Sequence, residues 1–161
     1  MIKVRRAVPA DAPELVRLRT IMLSEMAGEP VPPGEWAAPA EQMLRERLAE
    51  PAGTARLAAF VVDPPDGAPG LASCAIGTIE RRLGGPENPT GEFGYLFNVA
   101  TDPAYRRRGF SRAGTEAVLA WFRERGVVRA DLKATPIGEP LYRSLGFVDS
   151  SAPSLKLVLP D

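Results

Sequence analysis

Hydrophobic and polar positions change their period several times along the chain, and each change marks an element. Residues 2–8 (IKVRRAV) read as a short opening strand. Asp11-Ala12-Pro13-Glu14 then gives a D-x-x-E arrangement with proline in the first turn, a helix-start signature. Leu15, Leu18, Met22 and Met26 follow at helical spacing, so the pattern predicts an amphipathic helix up to about Ala27. Proline and glycine crowd residues 28–40 (GEPVPPGEWAAPA), a loop in which Trp36 is either an exposed aromatic or a plug over a pocket. A second helix runs from roughly Pro39 to Ala49, with Met43, Leu44 and Leu48 facing inward.

The period then shortens. ARLAAFVV (55–62), LASCAIGTIE (71–80) and EFGYLFNVA (92–100) are strand candidates joined by turn-rich segments short enough for an antiparallel meander. From Phe110 the spacing is helical again, with Phe110, Ala113, Gly114, Ala117, Val118 and Trp121 on one face and Arg112, Thr115, Glu116 and Arg123 opposite. Gly126 is placed to end this helix. A strand around Arg129–Ala134, a short helix through Glu139–Leu145 closed by Gly146, and an alternating final strand LKLVL (155–159) complete the chain. The expected fold class is α/β in the α+β sense: a mixed, mostly antiparallel central sheet flanked by helices, β-α-α-β-β-β-α-β-α-β, in one domain.

Composition narrows the chemistry. With no histidine and a single cysteine, Cys74, among 161 residues, a Ser/His/Asp triad, a Cys/His dyad, most zinc sites and an internal disulfide are all excluded, and no metal is expected. Proton transfer must use tyrosine, carboxylate, lysine or water. Lysine plus arginine balances aspartate plus glutamate at 20 each, so no global positive field favours nucleic acid or an anionic membrane. The start of the sequence has no apolar core of signal-peptide length and no run is long enough to cross a bilayer, so a cytoplasmic location is expected.

Against this balance, YRRRGFSR (105–112) is a local excess of charge at the start of a helix. Helix starts leave backbone N–H groups without internal partners and carry the positive end of the macrodipole, and a glycine lets a phosphate approach the backbone. Arginines add bidentate donors. The stretch is neither a G-x-x-x-x-G-K-[ST] loop nor a G-x-G-x-x-G fingerprint. On spacing alone it is either a phosphate cradle or a solvated basic helix start.

The run NVATDPAYRRRGFSRA (98–113) resembles the acyl-CoA signature of the GCN5-related N-acetyltransferases, R/Q-x-x-G-x-G/A, with Arg106, Gly109 and Ser111 in its three places. LYRSLGF (141–147) resembles the Y-x-x-x-G-F ending of the same family. Ser111 stands where glycine or alanine is commoner, and Thr135-Pro136 where many members have asparagine. The resemblance implies acetyl-CoA as acyl donor, held by backbone groups of Val99 and Thr101 and by Arg106, Arg107, Arg108, Gly109, Phe110, Ser111 and Arg112. It implies an amine acceptor, direct transfer in a ternary complex, and Tyr142 as the acid that protonates the departing thiolate; a tyrosine, with its ordinary pKa of about 10, keeps its proton at neutral pH. The amide of Val99 is the candidate oxyanion donor. Glu25, Glu80 and Glu92 are candidate bases, each also readable as a solvated carboxylate, and Trp36 is placed on one wall of the acceptor site. Dimers are common in that family, so a homodimer is among the implied assemblies. The alternative function is a catalytically inactive CoA-binding regulatory module of the same fold.

Overall fold

The computed structural model describes residues 1–161. Its elements follow in the order β1 (Arg5–Arg6), α1 (Ala12–Ala27), α2 (Ala37–Leu48), β2 (Leu57–Val62), β3 (Ser73–Arg81), β4 (Glu92–Thr101), α3 (Phe110–Glu124), β5 (Ala130–Asp131) and α4 (Glu139–Ser144). The five strands lie in one sheet in sequential order, antiparallel from β1 to β4 and parallel between β4 and β5. This is the mixed, mostly antiparallel sheet that the pattern predicts.

Two apolar clusters sit on opposite faces of the sheet. On one, Leu15 and Leu18 of α1 and Leu44 of α2 pack with Leu57, Val61, Cys74 and Ile76. On the other, Val118, Trp121 and Phe122 of α3 pack with Ala58, Ala75, Ile79 and Leu96, and Tyr142 and Phe147 join from the α4 segment. Close approach of α3 depends on two glycines in the sheet. A Cβ at Gly77 would lie 2.6 Å from Val118 Cγ1 and 2.9 Å from Phe122 Cζ, and one at Gly94 would lie 2.5 Å from Phe122 Cε2. The glycines leave room for the Phe122 ring.

Several sequence expectations need correction. The opening strand is reduced to Arg5 and Arg6, with one further bond from the Ala7 N–H to the Ala59 carbonyl. Asp11 and Glu14 do not form a reciprocal cap. Asp11 accepts from Arg5 and the Val8 N–H, while Glu14 accepts from Arg17 and the Leu71 N–H. Met26 and Met43 are exposed, the former on the last turn of α1, whereas Leu44 is buried and Leu48 half-buried. Thr115 is fully buried, because the inward stripe of α3 is wide enough to include it beside Gly114 and Val118.

The strand expected at 129–134 pairs only at Ala130 and Asp131, opposite Gly94 and Tyr95. β4 keeps its register with β3 through Leu96 and Phe97, so β5 parts from the sheet two residues before the irregularity at Asn98. The expected final strand LKLVL does not form. No backbone–backbone hydrogen bond reaches past Phe147, and Leu155, Leu157 and Leu159 stay 89, 81 and 78 % exposed. Alternation marks a segment suited to a sheet, but a strand exists only with a partner for its N–H and C=O groups.

Replacing Gly77 or Gly94 with valine forces the ring of Phe122 from its site. Each change should lower the unfolding free energy by about 1–3 kcal/mol, read from urea denaturation; an unchanged midpoint would show that α3 does not need this close contact.

Candidate functional site

The centre of the site is an irregularity in β4. Ile76 of β3 faces Phe97 and Cys74 faces Ala100, so two residues of β4, Asn98 and Val99, lie opposite the single Ala75. One extra residue in a strand is a β-bulge. Asn98 absorbs it with a φ of 51°, an unusual left-handed value for a residue that is 4 % exposed. Three contacts hold it there. Arg19 Nη1 donates to Asn98 Oδ1 at 3.0 Å, Asn98 Nδ2 approaches Cys74 Sγ at 3.7 Å, and the Cys74 thiol donates to the Asn98 carbonyl at 3.2 Å. Burial pushes the Cys74 thiol up to about 12, so it remains a protonated donor at neutral pH.

The bulge sorts the side chains of β4. Phe97 packs on the α1 face and Asn98 turns to the same side, whereas Val99 packs against the α3-side cluster, as Tyr142 and Leu132 do. Backbone direction follows from two flanking bonds. Gly94 N–H donates to Arg129 on the β5 side, and Asp102 N–H donates to Ala72 on the β3 side. Counting back from Asp102 by strand alternation, Val99 and Thr101 direct their N–H and C=O groups to the β5 side, beyond the last residue that β5 pairs. That stretch of β4 is an open edge with no strand beside it, its Thr101 carbonyl taken by Arg106 Nε.

At the end of this edge stands the arginine-glycine turn. Asp102 caps the short helical turn Pro103–Tyr105, accepting from the Ala104 N–H at 2.9 Å. Arg106 is extended, Arg107 has a φ of 61° and Gly109 a φ of 80°. The first backbone N–H after Tyr105 to find a protein acceptor is that of Ala113, which donates to Gly109 at 3.0 Å. The amides of Arg106 through Arg112 are therefore free to bind an anion together. Ser111 and Thr101 join the turn to the strand edge through hydroxyls 2.8 Å apart, and Thr101 Oγ1 lies 3.0 Å from Ser73 Oγ.

The arginines divide into different tasks. Arg106 donates from Nε to the Thr101 carbonyl at 3.2 Å and pairs with Glu25 of α1. Arg108 lies over the Tyr105 ring, 5.5 Å from its centroid. Arg112 reaches Ser144 Oγ at 2.8 Å and so links α3 to α4. Arg107 makes no ion pair and contributes its αL backbone. Tyr142 lies in the same cluster as Val99, its ring edge-on to Phe147 with centroids 6.0 Å apart, and burial pushes its hydroxyl above the ordinary tyrosine value.

Of the carboxylates suggested as bases, Glu25 pairs with Arg106 and Glu92 with Arg56 at 2.8 Å, while Glu80 is exposed near the far end of β3. Trp36 is half-buried at the start of α2 and packs against the α1-side cluster, not out in solvent. A separate open cleft of about 550 Å³, bounded by Glu14, Arg17, Gly70, Leu71, Asp102 and Tyr105, carries charges that are already mutually satisfied. Sequence reasoning missed Arg19 and the locking role of Cys74. Neither carries a motif, and only the bulge brings them to one residue.

A family model for the acetyltransferases of the GNAT family matches residues 29–147. A comparison with curated proteins gave no match. Among solved structures, a predicted acetyltransferase with acetyl-CoA from Clostridium acetobutylicum aligns with a TM-score of 0.82 at 22 % identity, covering 98 % of this chain and 96 % of that one. A GCN5-related N-acetyltransferase from Ralstonia eutropha JMP134 aligns at 0.81 and 26 % identity, covering 98 % and 99 %. Glucosamine-6-phosphate N-acetyltransferase from Arabidopsis thaliana shares the fold at 0.71 and 15 % identity, covering 98 % of each chain.

The bulge predicts an inverted order of stability. At a φ of 51° alanine is strained by about 1–2 kcal/mol and glycine is not. Both changes remove the same side-chain bonds, so Asn98→Gly should be more stable than Asn98→Ala by about 1 kcal/mol in urea denaturation. The ordinary preference for alanine in a strand would contradict the αL assignment.

Proposed function

The chain belongs to the GNAT acetyltransferase family, and from that premise we propose that it moves an acetyl group from acetyl-CoA to an amine by direct transfer in a ternary complex. The observation that carries this reading is the open edge of β4 at Val99–Thr101 leading into a turn whose amides are free from Arg106 to Arg112. Pantetheine has the amide spacing to add to such an edge as a short strand, and a pyrophosphate suits the turn. The acetyl-CoA complex of the clostridial neighbour supports this choice of donor.

Acetyl-CoA supplies an activated acyl carbon as a thioester; the chain's own residues do the rest. The Val99 N–H is aimed along the open edge by the bulge and stabilises charge developing on the acyl oxygen without reorganising. Arg106 holds the Thr101 carbonyl and places a cation beside the phosphates. Gly109 and Ser111 leave the backbone accessible, and Arg107, Arg108, Phe110 and Arg112 contribute their amides. Tyr142, protonated at neutral pH and packed against the same α3-side cluster as Val99, donates its proton to the departing sulfur. The proton lost from the amine passes to water, because Glu25 and Glu92 are engaged by arginines.

Two measurements test the proposal. Tyr142→Phe should lower kcat by on the order of a hundredfold with acetyl-CoA affinity unchanged; equal turnover would remove the tyrosine from the mechanism. Gly109→Val, which places a branched side chain at a φ of 80°, should weaken acetyl-CoA binding in calorimetry by more than Arg106→Ala, Arg107→Ala, Arg108→Ala or Arg112→Ala does alone. CoA binding with no thiol release on any amine would instead identify a regulatory module.

A further inference from the structure

Two arginines on α1 are treated differently by the fold. Arg17 uses four of its five N–H donors, on both oxygens of Glu14, on Asp102 and on the Leu71 carbonyl at 2.7–3.0 Å. Arg19 uses one of its five N–H donors, on Asn98, and takes part in no ion pair. It is nevertheless half-buried. A guanidinium withdrawn from water and left without a counter-charge is costly, and an anion delivered from outside would offset that cost.

Its surroundings define where that anion would sit. The bulge places Phe97 and Asn98 together on the α1 face of β4, and Tyr95 shares that face with Phe97, their rings stacked with centroids 6.0 Å apart. Val99, the proposed acyl-oxygen donor, is the next residue along the chain. The one carboxylate on the last turns of α1, Glu25, is occupied by Arg106. The face adjoining the acyl site therefore offers an aromatic wall and a free cation.

We propose that Arg19 anchors an anionic oxygen group, carboxylate or phosphate, on the acceptor, so that the substrate class is small amines carrying such a group a few bonds from the nitrogen. The inference rests on the acetyl-transfer reading above. Asn98 fixes the guanidinium one residue from Val99, and neighbouring Cα atoms are about 3.8 Å apart. An anion on Arg19 is then on the order of 10 Å or less from an acyl carbon at the Val99 N–H, a span that a short amino-acid-like acceptor bridges. In the transfer, the amine nitrogen bonds to the acyl carbon, the C–S bond breaks, nitrogen loses one proton and sulfur gains one. The anionic group is unchanged. The same cation also disfavours an ammonium nearby, which promotes the neutral amine that must attack.

The test uses matched pairs: L-phenylalanine and glycine against their carboxamides, and phosphoethanolamine against ethanolamine, with acetyl-CoA. For at least one anion, the charged member should be preferred by roughly ten- to a hundredfold in kcat/KM, the responding pair identifying carboxylate or phosphate. Arg19→Gln should collapse that ratio toward one, a ratio that loss of the Asn98 contact alone would leave in place, and Arg19→Lys should retain part of it. Calorimetric titration of the same pairs into the CoA-saturated protein reads the preference independently of turnover. Equal values within every pair, or a preference that survives Arg19→Gln, overturns the proposal. Charge discrimination in calorimetry that Arg19→Gln abolishes, with no turnover on any amine, supports the anion anchor and removes the acetyl-transfer reading alone.

Discussion

One extra residue in β4 controls most of what this fold presents. Without the bulge at Asn98, strict alternation would send Phe97 and Asn98 to opposite faces, and the sheet would offer no irregular edge beside β5. With it, β4 gives an aromatic and a polar side chain to the α1 face and gives Val99 to the α3 face. A left-handed asparagine is strained, and that strain persists only where neighbours enforce it. Here they are a guanidinium from α1 and a buried thiol from β3.

The second constraint is how tightly α3 can press on the sheet. Gly77 and Gly94 leave space for Phe122, and Ala75 meets Gly114 across the same interface. Because α3 is held so close, its first turn sits directly beyond the end of β4, and Thr101 can touch Ser111. The free amides and the open strand edge are consequently continuous. Small residues in the sheet core thus set the position of groups that themselves lie near the surface.

Much of this was legible in the sequence, for identifiable reasons. The meander of β2, β3 and β4 follows from apolar runs bounded by Pro and Gly turns, and α3 from an uninterrupted inward stripe. Arg106, Gly109 and Ser111 could be placed together because they are adjacent in the chain and their role depends on local backbone. The bulge could not, since EFGYLFNVA reads as a regular strand and only pairing with β3 shows that a residue is in excess. Arg19 was invisible because its partner is 79 residues away. LKLVL misled for the opposite reason: its alternation is genuine, but periodicity carries no information about whether an edge is available to receive it.

The chain's zero net charge conceals a specific distribution. Arg5 grips Asp11 and Asp63, Arg17 grips Glu14 and Asp102, and Arg143 grips Glu139 and Asp149, so many of the charges neutralise one another in local clusters that pin loops to helices. These arginines are structural because their geometry leaves little donor capacity for a ligand. Next to β4, two groups of donors have no protein anion: the amides after Tyr105 at one end of the open edge and the guanidinium of Arg19 at the bulge. Two separated sites of unsatisfied positive potential, with a stretch of free strand edge between them, suit a reaction in which donor and acceptor each bring an anionic handle and meet at their uncharged ends.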